Sequence, residues 1–111
     1  MGDEKRLAML EKITQGGGAD SFAWYGLALE YKSFGRTDDA LRTFRHLRDT
    51  DPDYRPMYLM CGTMLVAAGR PTHAREWLET GLLKAREKGE THAERELSEA
   101  IEQIPPPPSL A

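Results

Sequence analysis

An all-α fold, built as a solenoid of stacked antiparallel helix pairs, is what this sequence predicts, and three observations carry the prediction. Apolar residues recur at helical spacing in segments of about 12 to 17 residues. No segment sustains the strict alternation of a half-buried strand. The chain also superposes on itself at a shift of 34 residues, which makes a repeated unit the basis of the architecture.

The helices are bounded by residues that stop or restart them: Gly16-Gly17-Gly18, Gly35, Asp51-Pro52, Gly69-Arg70-Pro71 and Gly89. Six helices result, expected near 4–15, 20–34, 37–50, 54–68, 71–88 and 91–104. The run Pro105 to Pro108 cannot continue the last of them, because each proline lacks an amide donor and crowds the preceding turn. A single helical domain over 1–104 with a flexible proline-rich tail over 105–111 is therefore expected.

In the self-superposition, Trp24 meets Tyr58, Leu27 meets Cys61, Ala28 meets Gly62 and Tyr31 meets Leu65. Further on, Gly35 meets Gly69, Ala40 meets Ala74 and Phe44 meets Leu78. Large residues fall on large ones and small on small, as a repeated packing unit requires. A helix pair of this length has two apolar stripes and cannot bury both alone, so it stacks on a neighbour. Ala28 and Ala40 suit the closest approach of the two helices in one pair, with Trp24, Tyr31 and Phe44 filling the wider spaces around it.

These residues resemble the pattern of the tetratricopeptide repeat family, W-x2-L-G/A-x2-Y followed by a turn glycine, A-x3-F and a closing proline. Trp24, Leu27, Ala28, Tyr31, Gly35, Ala40, Phe44, Leu47 and Pro52 match it in a first repeat, 21–54. Tyr58, Cys61, Gly62, Leu65, Gly69, Ala74 and Leu78 match it in a second, 55–88, where Gly81 and Arg86 depart. The missing proline predicts a longer fifth helix, reaching about Lys88 before Gly89 ends it.

Two repeats are fewer than the three or so that a stack usually needs, which assigns the flanking helices to capping. Leu7, Leu10 and Ile13 form one stripe on the first helix. The last helix, 91–104, offers Ala93, Leu97, Ala100, Ile101 and Ile104 on one face and opens with a capping-box pattern, Thr91-His92-Ala93-Glu94. Its other face carries Glu90, Glu94, Glu96, Glu99 and Glu102, as a solvated terminal cap would.

The resemblance implies a protein-interaction module, an adaptor or scaffold, whose concave groove is lined by the first helix of each pair. Mapped onto this chain, the groove positions are Phe22, Tyr25, Leu29 and Lys32 in the first repeat and Leu59, Thr63 and Val66 in the second. This mostly apolar lining suits an amphipathic helix or extended peptide of a partner protein held by aromatic anchors. The lysine and asparagine clamp with which some members grip a chain-terminal carboxylate is missing, because Gly26, Leu29, Met60 and Thr63 stand at its asparagine positions. The alternative is a structural role, in which the same apolar faces are covered by the protein's own helices or by a second copy in a homodimer.

Other chemistry finds little footing. Fifteen basic against eighteen acidic side chains leave a net charge of −3, which gathers no phosphates, so no nucleic-acid partner is expected. The Trp24 and Tyr31 pattern likewise departs from RNA-binding helical repeats. Arg42, Arg45 and Arg48, with Arg36 and Arg55 nearby, read as a solvated face, with Asp38–Arg42 and Arg45–Asp49 pairs along the third helix. His46, His73 and His92 are isolated in sequence, so no metal is expected. Cys61 takes a core leucine's place rather than a nucleophile's. Gly16-Gly17-Gly18 lacks the lysine and hydroxyl residue of a phosphate-binding loop and reads as a linker. No enzyme activity, no cofactor and no membrane contact are expected, and the single cysteine fits a reducing, cytoplasmic setting.

Overall fold

The computed structural model describes residues 2–106; the last five residues of the proline-rich tail, 107–111, lie outside the described residues. Six α-helices follow one another: α1 (Glu4–Gln15), α2 (Ser21–Ser33), α3 (Thr37–Thr50), α4 (Pro56–Ala67), α5 (Pro71–Glu87) and α6 (Thr91–Glu102). No strand occurs among the described residues. The chain divides into two compact units between Met57 and Tyr58, so the first two residues of α4, Pro56 and Met57, belong with the helices before it.

In the first unit, α2 packs on both α1 and α3. Asp3 and Asp20 cap the first two helices, accepting the amides of Lys5 and Arg6 and of Ala23. The α2–α3 turn is closed by a glycine in the left-handed region. Gly35 has φ +73, its amide donates to Lys32 O, and the amide of Arg36 donates to Tyr31 O at 2.9 Å. Ala28, Ala40, Phe44 and Leu47 have no exposed surface, while Trp24 and Tyr31 are only half-buried at the margin. The Tyr31 hydroxyl donates to Glu11 Oε2 at 2.6 Å and the Arg36 guanidinium lies 4.6 Å over its ring. Glu30, almost wholly buried, accepts the Asp3 amide and meets Arg6 at 3.8 Å, which ties the start of α1 to α2.

Helix α1 departs from expectation by one position. Leu7 and Leu10 are buried, but the third inward residue is Thr14, and Ile13 is 45% exposed. Thr14 can enter the core because its hydroxyl is satisfied locally, donating to Leu10 O at 2.9 Å and Glu11 O at 3.1 Å, which leaves its methyl for packing.

In the second unit, Tyr58, Cys61 and Leu65 of α4 and Ala74 and Leu78 of α5 are buried, and the rings of Tyr58 and Trp77 lie 5.9 Å apart. Gly69 closes the α4–α5 turn with the bonds seen at Gly35: its own amide to Val66 O and the Arg70 amide to Leu65 O. The α5–α6 turn repeats them at Gly89, with the Glu90 amide donating to Ala85 O. Helix α5 ends at Glu87, as the missing proline predicts.

Helix α6 packs on α5 through Leu97. Its N-terminus corrects the expected capping box. Thr91 is the first helical residue rather than the cap, Glu90 takes the cap position without a side-chain bond, and Glu94 turns to Arg86 Nε at 3.0 Å. The glycine turn places Glu90 where a hydroxyl would be needed, and the guanidinium of α5 is the stronger partner for Glu94.

Candidate functional site

Helical spacing puts Phe22, Tyr25, Leu29 and Lys32 on one face of α2. Phe22 is 71% exposed, and the other three are half-buried. Tyr25 is held from behind: its ring meets Phe44 edge-on at 6.5 Å and lies 5.3 Å from Tyr54. Burial pushes the Tyr25 phenol above the ordinary tyrosine value, and the neighbouring Tyr54 adds to the shift.

On α4, in the second unit, Leu59 and Val66 are half-buried and Thr63 is exposed. The Thr63 hydroxyl donates to Leu59 O at 2.9 Å and Met60 O at 3.3 Å, so its polar capacity is largely spent on its own helix. Each helix thus presents a short, mainly apolar strip broken by few polar groups.

Tyr54 is the neighbour that the spacing of apolar residues does not find. The sequence places it in the fourth helix, whereas the structure holds it in the turn before α4, its amide donating to Asp51 O. Pro52 after Asp51 marks the turn, but nothing in the periodicity aims the side chain at Tyr25. Burial raises the phenol of Tyr54, and the charges of Asp20 and Asp51 raise it further.

Elsewhere several polar residues are engaged in structure. Arg42 and Arg36 both bind Asp39, with Arg36 Nε 2.8 Å from its carboxylate, so Arg42 meets the acidic residue three positions before it. Half-buried Asp39 sits three residues from each guanidinium and bridges them along the helix surface. His46 is not isolated in space, since its ring centroid lies 4.0 Å from that of Trp24. Cys61 is buried. Among the described residues no group of three or more His, Cys, Asp or Glu side chains is placed to hold a metal ion, and no helix is long and apolar enough to cross a membrane.

Glycine-closed helix hairpins that recur with the same small and large positions define a helical-repeat protein. Comparison with solved structures makes the class specific. A tetratricopeptide repeat domain protein from Salinibacter ruber, determined in solution, is 32% identical, with a TM-score of 0.71 over 77% of this chain and 86% of that one. A Bordetella parapertussis protein, also determined in solution, is 26% identical, with a TM-score of 0.77 over 88% of this chain and 85% of that one. No family model matches the sequence, and neither does any curated protein. The chain belongs to the tetratricopeptide repeat family.

Proposed function

We propose that this protein is an adaptor that holds a peptide or amphipathic helix of a partner protein on the first-helix faces of its repeats. The contact residues are Phe22, Tyr25, Leu29 and Lys32 on α2 and Leu59, Thr63 and Val66 on α4, and the protein has no catalytic role of its own. One observation supports this reading above the others: Phe22 stands 71% exposed beside half-exposed Tyr25 on a helix whose opposite side is packed. Large aromatic side chains near a supporting core are the usual anchors of peptide recognition. The test is capture of partners by wild-type protein against Phe22→Glu and Leu59→Glu variants, each verified as helical by circular dichroism, followed by titration of the captured segment. Loss of the same partner from both variants supports the proposal, and retention by both refutes it.

Self-association, as a homodimer or within a larger assembly, is the second reading, and a separate observation favours it. Met9, 55% exposed, and Ile13 make an apolar pair one turn apart on α1, away from the α2 strip in sequence. Light scattering over a hundredfold range of concentration, on the order of micromolar to sub-millimolar, separates the two readings. A monomer throughout removes the homodimer.

A further inference from the structure

The first unit gathers aromatic surface and negative charge at the start of α2. The Tyr25 and Tyr54 rings, tilted by 54° with both residues half-exposed, form a stepped wall, and Phe22 continues it into solvent one turn back along α2. Two carboxylates flank the wall. Asp20 caps α2 through the Ala23 amide at 2.9 Å, and Asp51, at the end of α3, accepts the Ser21 hydroxyl at 2.6 Å. The Tyr54 amide donates to Asp51 O at 3.0 Å, which holds this turn against the start of α2, and the charges of Asp20 and Asp51 help to raise the Tyr54 phenol. The adjacent Arg55 guanidinium is turned toward Asp53 O, at 3.0 Å.

This combination discriminates between occupants. An aliphatic side chain laid on the two rings would strip water from neighbouring carboxylates and return nothing to them. An acidic side chain would be repelled. A cation meets both requirements, since the ring faces and the carboxylates attract the same charge. Between the two basic side chains, the flat guanidinium is the better match, because it stacks on a ring while its edge donates to carboxylate oxygens, which an ammonium does less well.

We infer that this end of the α2 face receives an arginine side chain of the bound segment, its guanidinium over the Tyr25–Tyr54 rings and its charge against Asp20 and Asp51. The inference rests on the peptide-binding reading above and specifies its partner as an apolar segment carrying a basic residue, rather than an acidic tail.

The experiment uses the full chain, labelled with nitrogen-15, and four acetylated and amidated octapeptides of leucine, alanine and glutamine. They differ only at one central position: arginine, its neutral isostere citrulline, lysine or glutamate. Amide shifts of residues 20–25 and 51–54 report binding. The arginine peptide is expected to bind at least about tenfold more tightly than the citrulline and glutamate peptides, and more tightly than the lysine peptide, with an advantage that shrinks as salt is raised. An Asp20→Asn, Asp51→Asn double variant should bring the arginine peptide down to the level of citrulline. Asparagine retains the cap on α2 and an acceptor for Ser21, so this variant removes charge while keeping the fold.

Equal binding of arginine and citrulline peptides overturns the inference, and if Phe22→Ala weakens both, the α2 binding face itself stands. Equal binding of lysine and arginine overturns the stacked guanidinium. Absence of shifts at α2 with all four peptides overturns the inference and the binding face together.

Discussion

The two repeats keep the same small and large positions at the helix crossing but part company at one, where the first has a leucine and the second a glycine. In the first, Ala28 and Phe44 are both fully buried, and Leu47 fills the space deeper along α3. In the second, the equivalents are Gly62, Leu78 and Gly81. A Cβ on Gly62 would lie 2.4 Å from Leu78 Cδ2, and one on Gly81 would lie 2.5 Å from Tyr58 Cβ and 3.1 Å from Leu97 Cδ2. The leucine of the first repeat has therefore been replaced in the second by atoms from two other helices, the Tyr58 side chain of α4 and the Leu97 side chain of α6. A departure from the repeat pattern is here a compensated exchange, in which small residues on α5 and α4 allow branched and aromatic neighbours to close over them.

The handover to the next helix differs too. After α5 a left-handed glycine, Gly89, turns the chain directly into α6, whereas after α3 the segment Asp51-Pro52-Asp53-Tyr54-Arg55 intervenes. The longer connection brings Tyr54 and Asp51 to the start of α2. The second unit thus uses its junction for packing on a terminal helix, and the first uses it to build aromatic and acidic surface.

Exchanging the bulk should break this contrast with the largest effect. Gly81→Leu, which gives the second repeat the residue of the first, is expected to destabilise by at least about 3 kcal/mol, since neither the Tyr58 Cβ nor its helix can yield. Leu47→Ala should cost about 2–5 kcal/mol by opening a cavity. Urea unfolding measures both, and hydrogen exchange should place the first loss in α5 and α6 and the second in α2 and α3. If Gly81→Leu leaves stability unchanged, the compensated exchange is wrong.

A smaller effect sharpens the account of the first repeat. Tyr31→Phe removes the bond to Glu11 and is expected to cost about 1 kcal/mol, the value for a charged acceptor reduced for partial exposure. The Tyr31 phenol is raised chiefly by burial and then by the hydrogen bond and charge of Glu11, against lowering by Arg36 and Arg42. A raised folded value means that this stability is fully present below the unfolded tyrosine value of about 10 and is lost as pH rises through the folded one. Thermal unfolding from pH 8 to 11 should show the fall in wild type and a shallower one in Tyr31→Phe; identical profiles would dismiss the role of this bond.

The smallest change concerns Phe22. Because its side chain is mostly in solvent, Phe22→Ala should alter stability by no more than about 0.5 kcal/mol. A larger loss in thermal unfolding would show that the ring is part of the core rather than available to a ligand.

Much of the fold was legible because helix periodicity and turn glycines are local signals. Ala28, Ala40 and Phe44 announce their burial by spacing, and Gly35 and Gly69 announce the turns by needing a left-handed backbone. Ile13 and Thr14 were less legible, since both lie close to the inward stripe of α1 and only the hydroxyl's bonds to Leu10 and Glu11 make threonine acceptable inside. Of the candidate site, the α2 and α4 strips could be assigned from helical register, but Tyr54, Asp20 and Asp51 could not, because they come together across a turn and have no common period.

Local patterns along the chain were enough to set the helices, their glycine-closed turns and the repeated small and large positions, because each depends on residues within one or two turns of each other. That Gly81 must lack a side chain, that Glu94 serves Arg86 rather than a cap, and that Tyr54 stands against Tyr25 follow from packing between segments distant in sequence. Those outcomes depend on which groups compete for the same space or the same charge once distant segments meet, and that competition is not written in any local pattern.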